Sequence, residues 1–312
     1  VNLILLTTKK IGTDGKETRW RSNHLGNQAR MPDNRGTFES SFMVSSPLQS
    51  RHSAPSDRIL FFTLHRSGST YAHNACLAMC KACGIPYASP NPGGDEQFNV
   101  RSLAERPELF RAKTGCIGPL RFYIPMADPD HDKIILQLRD PRDVLTSMFY
   151  SYCFSHTGPV PGGTGYRQEV ADRGIDAFVI AMATATTPPL VGDYGTGNHL
   201  WDLTGNVAAR YQRYIDHLLC LPNVTLLRYE QLALDLPAWM QTLAGVFDPD
   251  RAEALAAEVL PKTQGHAEPA VEDIWSHKRK VIPGDHRDKL SAETITRLNE
   301  VFSVSLHRLG YV

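Results

Sequence analysis

The stretch "RILFFTLHRSGSTYAHNAC", residues 58–76, constrains the fold more than any other part of the chain. Residues 58–64 form a short apolar run followed by turn residues, which is the pattern of a buried strand. Residues 69–83 read as a helix. Between the two lie Arg66, Ser67, Gly68, Ser69 and Thr70. A loop from strand to helix exposes backbone N–H groups at the helix N-terminus, where the helix dipole favours negative charge. Gly68 lets the backbone approach a ligand, and the three hydroxyls add donors. Arg66 adds a planar cationic fork suited to phosphate or sulfate oxygens. The loop is too short for a Walker A loop and has no Gly-Lys-Ser/Thr ending. The plainer alternative is a capped helix beside a surface arginine.

The alternation continues. "DKIILQL" (132–138) reads as a strand followed by a helix over 141–155, and "NVTLLRY" (223–229) as a strand preceded by a helix over 207–221. Further helices are expected near 237–247, 250–259 and 291–309. This order predicts an α/β fold, a central parallel sheet with helices on both faces. Residues 1–57 are polar and read as a weakly ordered or loosely docked arm, leaving 58–312 as the folded domain. The Gly- and Pro-rich excursion 157–205 reads as a long irregular segment of the kind that forms a substrate lid.

Composition excludes several classes. With 33 basic and 33 acidic side chains the net charge is zero, so a general nucleic-acid binder is not expected. No apolar stretch approaches about 18 residues, so no membrane span is expected. The opening "VNLILLTTKK" is too short in its apolar part for a secretory signal. Six cysteines in a chain of 312 residues do not read as a disulfide framework, and a cytoplasmic location is the default.

Two further segments favour anions. In "LQLRDPRDVLTSMFYSY" (136–152), Arg139 ends a strand, Asp140 is a good N-cap and Pro141 suits the first helical position. Asp143 reads as first-turn charge, and Ser147 lies eight residues after Arg139. In "HKRKVIPGDHRDKLS" (277–291), Lys278, Arg279, Lys280 and Arg287 crowd around a Pro-Gly turn.

Together these segments resemble the sulfotransferases that use 3′-phosphoadenosine 5′-phosphosulfate (PAPS). The family's 5′-phosphosulfate loop, Pro-Lys-Ser-Gly-Thr-Thr-Trp, is matched by His65-Arg66-Ser67-Gly68-Ser69-Thr70-Tyr71. Arginine replaces the lysine, as in the protein-tyrosine branch. "RDPRDVLTS" (139–147) is similar to the 3′-phosphate motif with its arginine-to-serine spacing kept. "LLRYEQLALD" (226–235) resembles the Tyr-Glu-Asp-Leu strand end. "RKVIPGDHRDKLS" (279–291) resembles Arg-Lys-Gly-x-x-Gly-Asp-Trp, with Val281 for the first glycine and His286 for the tryptophan.

The resemblance implies a P-loop-NTPase-like fold and sulfuryl transfer from PAPS to a hydroxyl acceptor by in-line displacement, without a metal. The acceptor class stays open among small molecules, sugars and lipids, and the oligomeric state is not legible. Arg66 and Ser67 to Thr70 would cradle the 5′-phosphosulfate. Arg139, Ser147 and Arg279 would hold the 3′-phosphate, with Lys280 a further cofactor-binding candidate. Tyr229 would contact adenine, and Tyr71 would stack on it. Many members carry the general base as the histidine of a Lys-Thr-His stretch. In "RAKTGCIGPLRFYI" (111–124), Lys113 and Thr114 fit and make Lys113 a catalytic candidate, but Gly115 stands at the histidine position. Other branches use a carboxylate downstream of the first helix. That leaves Asp95, Glu96 and His156 as candidate bases, with Glu96 preferred.

"CLAMCKAC" defines a competing enzyme, a radical-SAM iron–sulfur protein holding its cluster on Cys76, Cys80 and Cys83. Against it, these positions fall on one face of a helix, where cysteine is a small buried hydrophobe. A non-catalytic nucleotide-binding module is the third class.

Overall fold

The structure, a computed structural model, describes residues 58–90, 108, 115–126, 129–155, 163–186, 205–263, 272–276 and 279–312. The expected 1–57 arm and Asp95, Glu96, Lys113, Thr114, His156 and Lys278 lie outside the described residues.

Five parallel strands form one sheet: β1 (Ile59–Thr63), β2 (Tyr87–Ala88), β3 (Cys116–Leu120), β4 (Lys133–Leu138) and β5 (Val224–Arg228), in the order β2-β3-β1-β4-β5. The apolar runs read as strands are thus strands, each trimmed by a residue or two. β2 and β3 were not anticipated. Phe62 of β1 pairs with both Leu120 of β3 and Leu136 of β4, so the three strands end at one level.

The first two long helices leave this edge on opposite faces. α1 (Ser69–Cys83) buries Ala72, Ala75, Cys76, Met79 and Cys80 against Phe61, Cys116 and Ile135. α2 (Pro141–Tyr150) buries Val144, Leu145 and Met148 against Leu60, Phe62 and Leu136. The chain therefore turns one way after β1 and the other way after β4. A doubly wound sheet opens a crevice at such a switch, outside the C-terminal ends of its strands. Arg66 and Arg139 follow those two strands.

The remaining helices thicken the two faces. α3 (Gly163–Arg173), α4 (Ile175–Thr184) and α5 (Val207–His217) precede β5, and α6 (Tyr229–Leu234), α7 (Leu236–Phe247) and α8 (Ala252–Val259) follow it. The chain ends in α9 (His286–Lys289), α10 (Ala292–Val301) and α11 (Ser303–Leu309). Trp239, Met240 and Leu243 of α7 pack on the α1 face, while Phe178 and Val179 of α4, Tyr211 and Tyr214 of α5, and Leu298 and Leu306 pack on the α2 face.

Three sequence readings need correction. The described middle of 157–205 is helical, because "IDAFVIAMAT" of α4 has enough apolar side chains to dock Phe178, Val179, Met182 and Ala183 in the core. The helix expected over 141–155 is α-helical only to Tyr150 and continues as one π-type turn over Ser151–Ser155. The helix expected over 291–309 is broken at Phe302, whose buried ring packs edge-on against Tyr211.

The cysteines of α1 lie on one unbroken helix, with Cys76 and Cys80 buried. A thiol–thiol hydrogen bond with Cys116, followed by burial, pushes the Cys80 thiol far above its ordinary pKa. A cluster needs thiolates on a loop that can wrap it. These thiols lie on a helix packed against a strand, and no group of side chains fit to hold a metal occurs among the described residues.

Candidate functional site

The loop after β1 is built around two left-handed residues, Arg66 (φ 67°) and Gly68 (φ 75°). Glycine takes that conformation freely, whereas for arginine it costs about 1–2 kcal/mol, so the surrounding structure must hold it. Gly68 is also fixed by space. A Cβ there would lie 2.9 Å from Leu232 Cδ2 and 3.0 Å from Tyr229 Cδ2. The loop is tied down by Gln137 of β4, whose Nε2 donates to the Ser67 carbonyl at 2.6 Å. Among the described residues, no side chain caps the first turn of α1 and the buried Ser67 Oγ has no hydrogen-bond partner. Buried polar atoms are nearly always paired. A hydroxyl and uncapped N–H groups aimed from one loop are a donor set suited to an anion.

The segments singled out in the sequence meet in the crevice. Arg66 Nε donates to Ser147 Oγ at 3.0 Å, joining residues 81 positions apart. The buried Arg139 donates from one terminal nitrogen to the Arg66 carbonyl at 3.3 Å, and its buried Nε has no partner among the described residues. Its guanidinium lies 4.2 Å from the centroid of the Tyr229 ring, a cation–π contact. Tyr229 in turn donates its hydroxyl to the Val281 carbonyl at 3.2 Å, which brings in the 279–291 segment.

That segment is anchored by Asp143. Its carboxylate accepts from Gly284 N at 2.6 Å, His286 N at 3.0 Å and His286 Nδ1 at 2.7 Å, and it lies 3.5 Å from Arg139. Asp143 does lie in the first turn of α2, as the sequence reads, but its carboxylate has a further, long-range role. It is a buried clasp between α2 and the basic segment, and His286 is buried as its partner. Arg279 bonds Glu272 and Asp285 and lies 4.1 Å from the centroid of the Tyr150 ring. Lys280 is held 3.1 Å from Asp285. Asp285 thus fixes two cations side by side.

Tyr71 lies on the α1 face, its hydroxyl 3.0 Å from Thr263 Oγ1 and its ring edge-on to Trp239 at 5.8 Å.

Gly115 is misplaced by the sequence comparison. It lies at the N-terminal end of β3, the opposite end from the crevice, where a Cβ would meet the Pro86 carbonyl oxygen at 2.3 Å. A base cannot stand there. The residue that leaves β3 at the crevice end is Arg121, which the sequence reading passed over. Burial lowers its pKa, its Nε is sealed without a partner, and it has no carboxylate partner among the described residues. A desolvated cation of this kind calls for an anion.

An uncapped helix N-terminus, orphaned donors and converging guanidinium groups at the switch of a doubly wound parallel sheet form a donor set whose chemistry suits an anionic, phosphate-like group. The chain belongs to the sulfotransferase domain family, whose profile matches residues 126–310. A solved mouse sulfotransferase complexed with PAP is similar in fold, with a TM-score of 0.53 and 18% identity over 80% of this chain and 84% of that one. A retinol dehydratase in complex with retinol and PAP aligns with a TM-score of 0.40 and 16% identity over 81% of this chain and 82% of that one. No match is found among curated protein sequences. The α/β sheet read from the sequence is the sulfotransferase fold.

Proposed function

We propose that the protein transfers the sulfuryl group of PAPS to a hydroxyl-bearing small molecule, sugar or lipid. The observation that carries this reading is the convergence of Arg66, Ser147, Arg139, Tyr229 and the 279–286 segment on one crevice. The mouse sulfotransferase of like fold is complexed with PAP, which supports PAPS as the donor.

Bound PAPS supplies a sulfuryl group already activated by its link to phosphate. The protein's task is then positioning and charge stabilisation. Arg66 with the N–H and hydroxyl groups of Ser67 to Thr70 holds the 5′-phosphate and stabilises the charge that gathers there. Arg139, Ser147, Arg279 and Lys280 hold the 3′-phosphate. Tyr229 contacts the adenine, with Tyr71 beside it. Arg121 is the cation facing the sulfuryl oxygens, and Lys113 stays the catalytic candidate that the resemblance offers. Asp95, Glu96 and His156 are the bases that sequence alone offers, with Glu96 preferred. Six free cysteines suit a reducing cytoplasm, and no helix among the described residues is long and apolar enough to cross a membrane.

The first test is calorimetric titration with 3′,5′-adenosine bisphosphate (PAP), alongside turnover of PAPS with an acceptor panel. Because side chains and N–H groups neutralise the phosphates in this reading, binding is expected to be unchanged by EDTA. Loss of binding on chelation sinks the metal-free site, and binding without any PAPS turnover leaves a non-catalytic nucleotide module.

Arg139→Ala is expected to weaken PAP binding about ten- to hundredfold, the loss of a charge-assisted hydrogen bond of roughly 1.5–3 kcal/mol. Ser147→Ala, which removes one neutral hydroxyl, should cost about tenfold or less. Unchanged affinity in folded Arg139→Ala protein removes Arg139 from the site.

A further inference from the structure

We infer that His73 is the general base that takes the acceptor's proton, with Tyr87 as the residue that positions it. This rests on the sulfotransferase reading above. His73 sits one turn into α1. Side chains on a helix tilt toward its N-terminus, so the imidazole lies along the turn formed by Ser69 and Thr70. Its Nδ1 is 2.7 Å from the Tyr87 hydroxyl, and that hydroxyl is 2.7 Å from the Gly118 carbonyl oxygen. A carbonyl can only accept, so Tyr87 must spend its one proton there and accept from His73. The proton of the neutral imidazole is thereby fixed on Nδ1, which leaves the Nε2 lone pair bonded to no described group.

The surroundings keep that lone pair available. The imidazole is half-buried, and burial, followed by the charge of nearby Arg121, lowers its pKa. Tyr87 from β2 and Arg121 at the end of β3 are the titratable groups that face it. Arg121 is also the desolvated cation that the sulfuryl reading needs at this lip. The same corner therefore holds a neutral base beside a cation, next to the loop that carries the 5′-phosphosulfate. In the reaction, the acceptor O–H proton passes to Nε2 while the acceptor oxygen bonds to sulfur. The sulfur–oxygen bond to the 5′-phosphate breaks, and its electron pair stays on the phosphate.

The test has a readout that needs no acceptor. In ¹⁵N-histidine NMR of the unliganded protein at neutral pH, His73 is expected to be neutral with Nε2 unprotonated, and Tyr87→Phe is expected to lose that tautomer preference. A charged or Nε2-protonated His73 in the wild type overturns the proposal. The kinetic arm measures sulfuryl release from PAPS to water, and transfer to phenol and to the more acidic p-nitrophenol. His73→Gln should lower kcat for water and phenol about a hundredfold or more, lower it much less for p-nitrophenol, and leave PAP affinity intact. His73→Gln rates within twofold of wild type, with Glu96→Gln carrying the loss, give the role to Glu96. Wild-type protein that neither binds PAP nor consumes PAPS removes the sulfotransferase reading itself, an outcome distinct from failure of His73 alone.

Discussion

Replacing Arg66 by alanine is expected to lower kcat about a hundred- to a thousandfold, the usual effect of deleting one preorganised donor aimed at developing charge. The KM for PAPS should change far less, whereas PAP, whose 5′-phosphate carries the full product charge, should bind more weakly as well. The argument starts from the backbone. Arg66 is held in the left-handed region at φ 67°, a conformation that alanine tolerates no better than arginine, so the substitution does not relax the loop. What goes is the guanidinium, which is oriented by its bond to Ser147 Oγ at 3.0 Å. The 5′-phosphate already carries charge in the ground state and gains more as the sulfuryl group departs. The loop N–H groups and Arg139 remain to hold the ground state. An interaction that strengthens on the way to the transition state appears in kcat rather than in binding. Stopped-flow turnover and calorimetry on the same variant decide it. If only the KM for PAPS rises and kcat stays, Arg66 is a ground-state anchor.

Legibility in the sequence followed local signals. β1, β4 and α1 were read from apolar runs that end in turn residues, and the start of α2 from Asp140 and Pro141, whose side-chain cap on Arg142 N at 2.9 Å is present. β3 was missed because "CIGPL" holds a glycine and a proline where a strand is expected to show branched residues. That omission placed the expected base at Gly115, six residues before Arg121, and at the wrong end of the strand. β2 has only two residues, too few to leave a pattern. His73 is a lone histidine among small residues on a helix. Its partner Tyr87 is 14 positions away and its neighbour Arg121 lies beyond the missed strand, so only the packing of α1 on β2 and β3 brings them together. The long-range contacts of Asp143, which does lie in the first turn of α2, were hidden for the opposite reason. Its local role as a helix N-terminal charge is sufficient by itself, so nothing in the sequence asks for the long-range one.

Asp143 carries the second large effect. Asp143→Ala is expected to lower stability by about 3–5 kcal/mol, the cost of breaking a buried ion pair by removing one partner. Native stabilities are only about 5–15 kcal/mol, so the loss should be plain in urea unfolding. Three donors lose their acceptor at once, Gly284 N, His286 N and His286 Nδ1, and the buried Arg139 loses its counter-charge. The sign of the pH effect follows from the same geometry. Burial alone would raise the Asp143 pKa, but the His286 side-chain bond, Arg139 and the two N–H donors hold it well below its ordinary value of 3.8. A depressed folded-state pKa stabilises the native protein above the unfolded value and is lost as pH falls through that value toward the folded one. Wild-type stability should therefore decline as pH drops below about 5, and Asp143→Asn should be less stable at neutral pH with a flatter decline. The clasp also holds the 279–286 segment against α2. Both variants should thus weaken PAP binding, although Asp143 itself repels phosphate. Tighter PAP binding in Asp143→Asn would show that charge repulsion outweighs the anchoring. Unchanged stability at neutral pH, with an unchanged acid slope, would remove the clasp altogether.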